Sequence, residues 1–240
     1  MTQDVVLVTG ASRGIGASIA KVLKVAGWQT ITNSRSRLIT TSDNFSTEHI
    51  AFDCTNFDEV KKSLQKLKEQ GVFLSDLVCC VGSGNVKLFP EENSWVKYLL
   101  VNLLSCTQVI DSALEIFSTS LRNVVVVSSV VGSKAMIDPP IEYSVAKAAL
   151  NQYVKVKALK IAKSGKTINA VSPGNIMFPG STWEKRLELS KEQTARYITS
   201  EVPLAKFGSP EDISLLIPFL LRRESFTTGQ IFNIDGGQSL

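Results

Sequence analysis

Seven times along the chain a short apolar run is followed by a longer stretch or a turn-rich break, and most of the intervening stretches have helical period. The runs are DVVLVTG (4–10), QTITNSR (29–35), HIAFDC (49–54), DLVCCVG (76–82), RNVVVVSS (122–129), TINAVSPG (167–174) and QIFNIDGG (230–237). Helices are expected at 15–28 with Gly27 as a stop, over FDEVKKSLQKLKEQG, at 93–118, and at 142–165 closed by Gly165. Strands this apolar are covered by helices on both faces, which requires a parallel, doubly wound α/β sheet. No linker or repeat interrupts the 240 residues, so 1–240 reads as one domain. The one long interruption, about 175–210, falls between the sixth and seventh strands and suits a substrate-covering insertion.

Composition narrows the function. With 44% hydrophobic and 20% charged residues the chain can bury a sizeable core. A net charge of +4, evenly spread, argues against nucleic acid. The N-terminus MTQDVVLVTG lacks the pattern of a signal peptide, and LLIPFLL (215–221) is too short to span a bilayer, so a cytoplasmic protein without membrane contact is expected. The four cysteines have no CxxC spacing and read as buried free thiols, with Cys79 and Cys80 on opposite faces of a strand. The single histidine, His49, is expected on a surface loop; with it alone, a Ser-His-Asp hydrolase is disfavoured and a zinc site of several histidines is impossible. No metal is expected.

Two motifs carry chemistry. VLVTGASRGIGASIA sets Gly10, Gly14 and Gly16 between the first strand and the first helix. Such a turn lets a phosphate approach a helix N-terminus, with Ser12, Arg13 and Ile15 alongside. Where a dinucleotide site for NAD often carries an acidic residue, the second strand ends in Asn33, Ser34 and Arg35. Arg13 and Arg35 could grip a 2′-phosphate, which points to NADP(H) over NAD(H), although Arg35 and Arg37 also fit solvated loop charges. The second motif is YSVAK. Lys147 lies four residues after Tyr143 on one helical face, where a cation would lower the phenol's pKa, and Ser129 at the end of the fifth strand could bond a substrate oxygen.

Together these segments resemble the short-chain dehydrogenase/reductase family almost end to end. The carriers are TGASRGIG (9–16), FDCT (52–55), the VN holding Asn102, SSVVG with YSVAK, SPGNI (172–176), PLAKFGSPEDI and IDGG. The resemblance implies a Rossmann-type fold and a catalytic set of Asn102, Ser129, Tyr143 and Lys147. In it Tyr143 exchanges a proton with the substrate oxygen, Lys147 lowers its pKa and holds the nicotinamide ribose, Ser129 orients the carbonyl, and Asn102 helps hold a proton-relay water. It places Asp53 and Cys54 near adenine, and Gly82, Pro173, Gly174 and Ile176 along the cofactor. It also implies a homotetramer or homodimer joined through the long helices.

The chain departs from the family in three places. CCVG replaces the usual NNAG, Phe178 stands where a threonine often bonds the carboxamide, and the Ser129-to-Tyr143 spacing is slightly long, which keeps Ser128 as a rival. Met136 and Ile137 are expected on one wall of a substrate pocket and Trp183 in a lid, or in its packing; Lys185 and Arg186 fit either an anion or solvent. A 3-oxoacyl thioester or small ketone is the generic substrate; a sugar-derived alcohol or ketone, as in surface-polysaccharide biosynthesis, is the rival. A non-catalytic NADP-binding sensor or scaffold is the alternative of another class, disfavoured by the intact Ser, Tyr, Lys and Asn.

Overall fold

The structure, a computed structural model, describes residues 3–35 and 48–240. Strands β1 (Val5–Thr9), β2 (Gln29–Ser34), β3 (Glu48–Ala51), β4 (Leu74–Cys79), β5 (Asn123–Val127), β6 (Thr167–Pro173) and β7 (Ile231–Ile234) form one sheet in the order β3-β2-β1-β4-β5-β6-β7. Every pairing is parallel. The order reverses between β1 and β4, and ligands of doubly wound sheets bind beyond the carboxyl ends of the strands at such a reversal.

Alternation along the strands builds two cores. Val5 and Leu7 face a layer formed by α2 (Phe57–Glu69), α4 (Ser105–Ile116) and α5 (Ile141–Ile161), whereas Val6 and Val8 face α1 (Gly14–Val25), α8 (Pro210–Ser214) and α9 (Ile217–Leu220). Cys79 belongs to the first core and Cys80 packs on the second, as a period of two requires. All four thiols are free. Burial of this completeness makes a large-to-small change at Leu7 or Ile31 cost about 2–5 kcal/mol.

The helix expected over 93–118 is broken. It runs as α3 (Ser94–Leu99), a π turn at Leu100–Leu104, then α4. A π turn frees a carbonyl from the regular ladder, and the Asn102 Nδ2 donates to the Tyr98 carbonyl at 3.2 Å. The whole run Ser94–Ile116 is long and apolar enough to cross a membrane, by length and composition only. Here it contributes Val109, Ile110, Ala113 and Ile116 to the first core.

β3 is shorter than the expected 49–54, because Phe52 and Cys54 turn inward. The Asn33 Nδ2 takes the carbonyls of Ile50 and Phe52 at 3.2 and 3.1 Å. His49 is not on a surface loop: it lies in β3, half-buried, with its Nδ1 3.0 Å from the Thr32 hydroxyl and its Nε2 3.3 Å from that of Ser34. The interruption between β6 and β7, where a lid is expected, holds α6 (Thr182–Leu189) and α7 (Lys191–Glu201), followed by α8 and α9.

Candidate active site

The glycine turn follows from close packing. A Cβ on Gly16 would lie 2.4 Å from the Gly10 carbonyl oxygen, and Gly10 itself sits at φ +67 against the backbone of Cys80. Only glycines let the N-terminus of α1 settle over the end of β1, leaving backbone N–H groups of the first turn to face an anion. Arg13 is the N-cap residue but caps nothing with its side chain.

The catalytic candidates converge around Gly82. A Cβ there would be 3.0 Å from the Lys147 Nζ and 3.1 Å from the Asn102 Oδ1. Asn102 is fully buried, and its Oδ1 accepts from the Ser83 amide at 2.7 Å. The π turn therefore aims Asn102 at the loop after β4. The Lys147 ammonium donates to the Val127 carbonyl at 3.1 Å, and the turn Val130–Gly132 sits so close to α5 that a Cβ on Gly132 would be 2.8 Å from the Lys147 carbonyl. A Cβ on Gly84 would meet the Tyr143 ring at ordinary contact, 3.5 Å.

The rival serines separate cleanly. Ser128 donates to the Asn151 Oδ1 at 2.6 Å and is buried. Ser129 is instead the serine whose hydroxyl faces the Tyr143 phenol closely enough to lower its pKa. Burial raises the Tyr143 pKa, and the Ser129 hydroxyl opposes it. The Lys147 nitrogen is 6.0 Å from the ring centroid, and its own pKa is lowered by burial. The same burial pushes the Cys80 thiol up to about 12, with the Lys147 charge opposing.

The expected cofactor residues fall in different environments. Asn33 is 1% exposed and its Oδ1 accepts from the Cys54 thiol at 3.4 Å, so these two side chains brace the sheet and leave their main chain to face a cofactor. The Ile176 side chain packs into the second core, where a Cβ on Gly208 would be 2.7 Å from its Cδ1, so only its main chain is free to face a cofactor. Ile15 likewise packs partly on that core. Ser34 is buried against His49, whereas Arg35 and Ser12 are exposed. Arg37 lies outside the described residues. Asp53 accepts from the Thr55 amide and hydroxyl, both at 2.8 Å, and stays half-buried. Pro173 closes β6, and Gly174 passes so near Asp235 that a Cβ would be 2.8 Å from its Cα.

Arg13 is exposed and meets the segment after β6. Its Nη1 donates to the Gly180 carbonyl in the lid at 2.9 Å. Trp183 is a packing residue: its ring stacks on Tyr197 at 5.2 Å, meets Phe207 at 5.5 Å and carries the Arg186 guanidinium at 4.9 Å. Arg186 pairs with Asp138 at 3.4 Å, while Lys185 is exposed. On the opposite wall Met136 is half-buried and Ile137 fully exposed. Two residues, Tyr197 and Gln238, escaped the sequence reading, and they gather on Asn175 of the SPGNI segment. Tyr197 lies near Asn175 and Gln238, and both the Asn175 Nδ2 and the Gln238 Oε1 are buried without a partner. No local motif marks them, because they meet only through the lid and the last residues.

A glycine turn on a parallel sheet, with Ser, Tyr, Lys and Asn gathered at the carboxyl end of the strands, defines an oxidoreductase of the alcohol–carbonyl type that uses a nicotinamide dinucleotide. The family model described as enoyl-(acyl carrier protein) reductase matches residues 10–239, and the chain belongs to the short-chain dehydrogenase/reductase family. It is 29% identical to a 3-oxoacyl-[acyl-carrier-protein] reductase of Synechocystis, over 99% of this chain and 97% of that one. It is equally 29% identical to the L-fucose dehydrogenase of Bos taurus, over 98% and 89%. Among solved structures, the ligand-free aldohexose dehydrogenase of Thermoplasma acidophilum superposes with a TM-score of 0.85 at 29% identity, covering 99% of this chain and 94% of that one. The NADP active-site complex of RhlG from Pseudomonas aeruginosa superposes at 0.86 with 26% identity, covering 100% and 98%.

Proposed function

We propose that the protein interconverts a carbonyl and a secondary alcohol on a small molecule, with NADP(H) as the preferred dinucleotide. The observation that carries this reading is the convergence of the Lys147 Nζ and the Asn102 Oδ1 on Gly82, with the Tyr143 ring against Gly84. Gly10, Gly14, Gly16 and the first turn of α1 fit the phosphates; exposed Arg35 suits a 2′-phosphate. When bound, the nicotinamide supplies or accepts the hydride. The chain's own residues handle the proton. The Ser129 hydroxyl lowers the Tyr143 pKa and so favours its phenolate. Tyr143 gives its proton to the carbonyl oxygen in reduction and takes it back in oxidation. Lys147, anchored on Val127, places a buried cation beside this exchange, and Asn102 braces the loop that frames it.

For the substrate, a 3-oxoacyl thioester or small ketone is the general reading, in line with the Synechocystis reductase. A polyhydroxylated, sugar-derived substrate is supported by a specific feature. The Asn175 Nδ2 lacks an acceptor and the Gln238 Oε1 lacks a donor, and both flank the Tyr197 hydroxyl. Sugar hydroxyls donate and accept at once, so they satisfy such amides, whereas an acyl chain leaves each buried group unpaired at about 1–3 kcal/mol. We also propose that a second copy of the chain packs on the outer face of α5 and the π turn before α4, where Val145, Val156, Leu159 and Leu104 are exposed. The deciding assay measures NADPH oxidation with acetoacetyl-CoA and NADP+ reduction with an aldose panel, alongside NADPH and NADH titrations. Turnover of either class supports the oxidoreductase reading and selects the substrate. Tight NADPH binding with no turnover of any carbonyl or alcohol would favour a sensor.

A further inference from the structure

The lid begins with Phe178-Pro179-Gly180-Ser181. The Ser181 amide donates to the Phe178 carbonyl at 2.9 Å, and Gly180 has φ +77. Proline followed by a left-handed glycine is the signature of a type II turn, so this segment is stiff. Its two faces meet the glycine turn. The Gly180 carbonyl accepts from the Arg13 Nη1 at 2.9 Å, and a Cβ on Gly180 would come within 2.8 Å of that same nitrogen. The Phe178 ring lies over Gly14, so near that a Cβ there would be 2.6 Å from it. Gly14 and Gly180 thus lack side chains where the two segments touch.

The contact continues into the substrate wall. Ser181 caps α6 by accepting from the Glu184 amide at 3.0 Å. The same helix carries Arg186, which pairs with Asp138 in the loop that follows Ser129. A single chain of bonds therefore runs from the cofactor turn, through the proline–glycine turn and α6, to the catalytic loop.

We propose that Arg13 and Phe178 are positioning residues that clamp the lid onto the cofactor turn. Arg13 is then a lid anchor, and selectivity for a 2′-phosphate rests on Arg35. Phe178, where relatives often carry a threonine, works as the apolar half of the clamp. The inference deepens the NADP(H) reading and relies on it only for its selectivity arm.

The test needs no substrate. Amide hydrogen exchange across 178–189 is measured in the ligand-free wild type, Arg13→Ala, Phe178→Leu and Arg35→Ala. NADPH and NADH affinities are titrated for the same proteins. Loss of one charge-assisted bond at a half-exposed site should speed exchange in this segment roughly three- to tenfold in Arg13→Ala. Phe178→Leu should speed it too, with Arg35→Ala unchanged and β5 unaffected in all. Arg13→Ala should keep the wild-type NADPH-to-NADH preference, and Arg35→Ala should lose it. Unchanged exchange over 178–189 in both clamp variants would overturn the proposal, as would loss of the NADPH preference in Arg13→Ala. A wild type that binds both dinucleotides alike would remove the NADP(H) reading while the exchange arm still decided the clamp.

Discussion

Lys147 donates its ammonium to the Val127 carbonyl oxygen, 3.1 Å away, and this bond stitches the catalytic helix to the end of the central strand. Val127 still pairs with Val171 of β6 but lies one residue beyond the last β4–β5 pair, Cys79 with Val126, so its carbonyl is open to a side chain. The lysine is thereby held 2% exposed at the edge of the site, near Asn102 and Tyr143 but not bonded to the phenol. Its position is a structural consequence of where β5 stops.

The first prediction concerns the proton. Tyr143→Phe removes the transferable proton and leaves the ring that packs beside Gly84. Turnover should fall by about 10²- to 10⁴-fold or more, with NADPH affinity unchanged by fluorescence titration. Retained turnover would refute the role of Tyr143.

The second is a pH dependence. Oxidation of an alcohol requires the phenolate, so its rate should rise with pH through the Tyr143 pKa; reduction requires the phenol and should fall over the same interval. Burial raises that pKa and the Ser129 hydroxyl lowers it. Ser129→Ala should therefore move the alkaline limb of both profiles to higher pH, besides slowing turnover. A limb that stays in place, or moves to lower pH, contradicts Ser129 as the opposing influence.

The third concerns the opposite end of the sheet. Asp76 is fully buried and accepts from the Asn123 Nδ2 at 2.8 Å, the Trp28 Nε1 at 3.0 Å and the Ser75 hydroxyl at 2.8 Å. Burial raises its pKa against these three bonds. Asp76→Ala strands the donors of Trp28 and Asn123 and should cost about 2–4 kcal/mol in denaturant unfolding. A change near zero would show that the donors find other partners.

The fourth tests acid stability. Asp4 joins Arg122 at 2.6 Å and Arg223 at 2.7 Å, tying the start of the described chain to segments far along it. Arg223 and Arg122 hold the carboxyl pKa below its ordinary value. A lowered folded pKa gives stability that is present above the unfolded value and is lost as pH falls through the folded one. Asp4→Asn should therefore lower stability by about 0.5–1 kcal/mol at neutral pH, after solvent screening. The difference should vanish under acid conditions below the folded pKa. A difference that grows in acid would reverse the sign and reject the account.

Most of the fold was legible because its determinants are local. Apolar runs with a period of two in their burial, separated by stretches of helical period, leave little choice but a parallel sheet covered on both faces. The glycine turn and the Tyr143–Lys147 spacing were equally readable, since each is fixed within one turn or one helix. The break at Leu100–Leu104 was not, because it depends on how Asn102 bonds its own helix and the loop at Ser83.

The sequence by itself determined the doubly wound class, the order of the site motifs and the absence of histidine from their chemistry. Tertiary structure alone decided which serine faces the phenol, that Asn33 and Cys54 brace the sheet, that Arg13 reaches the lid, and that burial sets the direction of the Tyr143 pKa. The physical reason is common to all four. Each depends on a partner distant in sequence, or on the loss of water around a group, and neither is written in the spacing of residues along the chain.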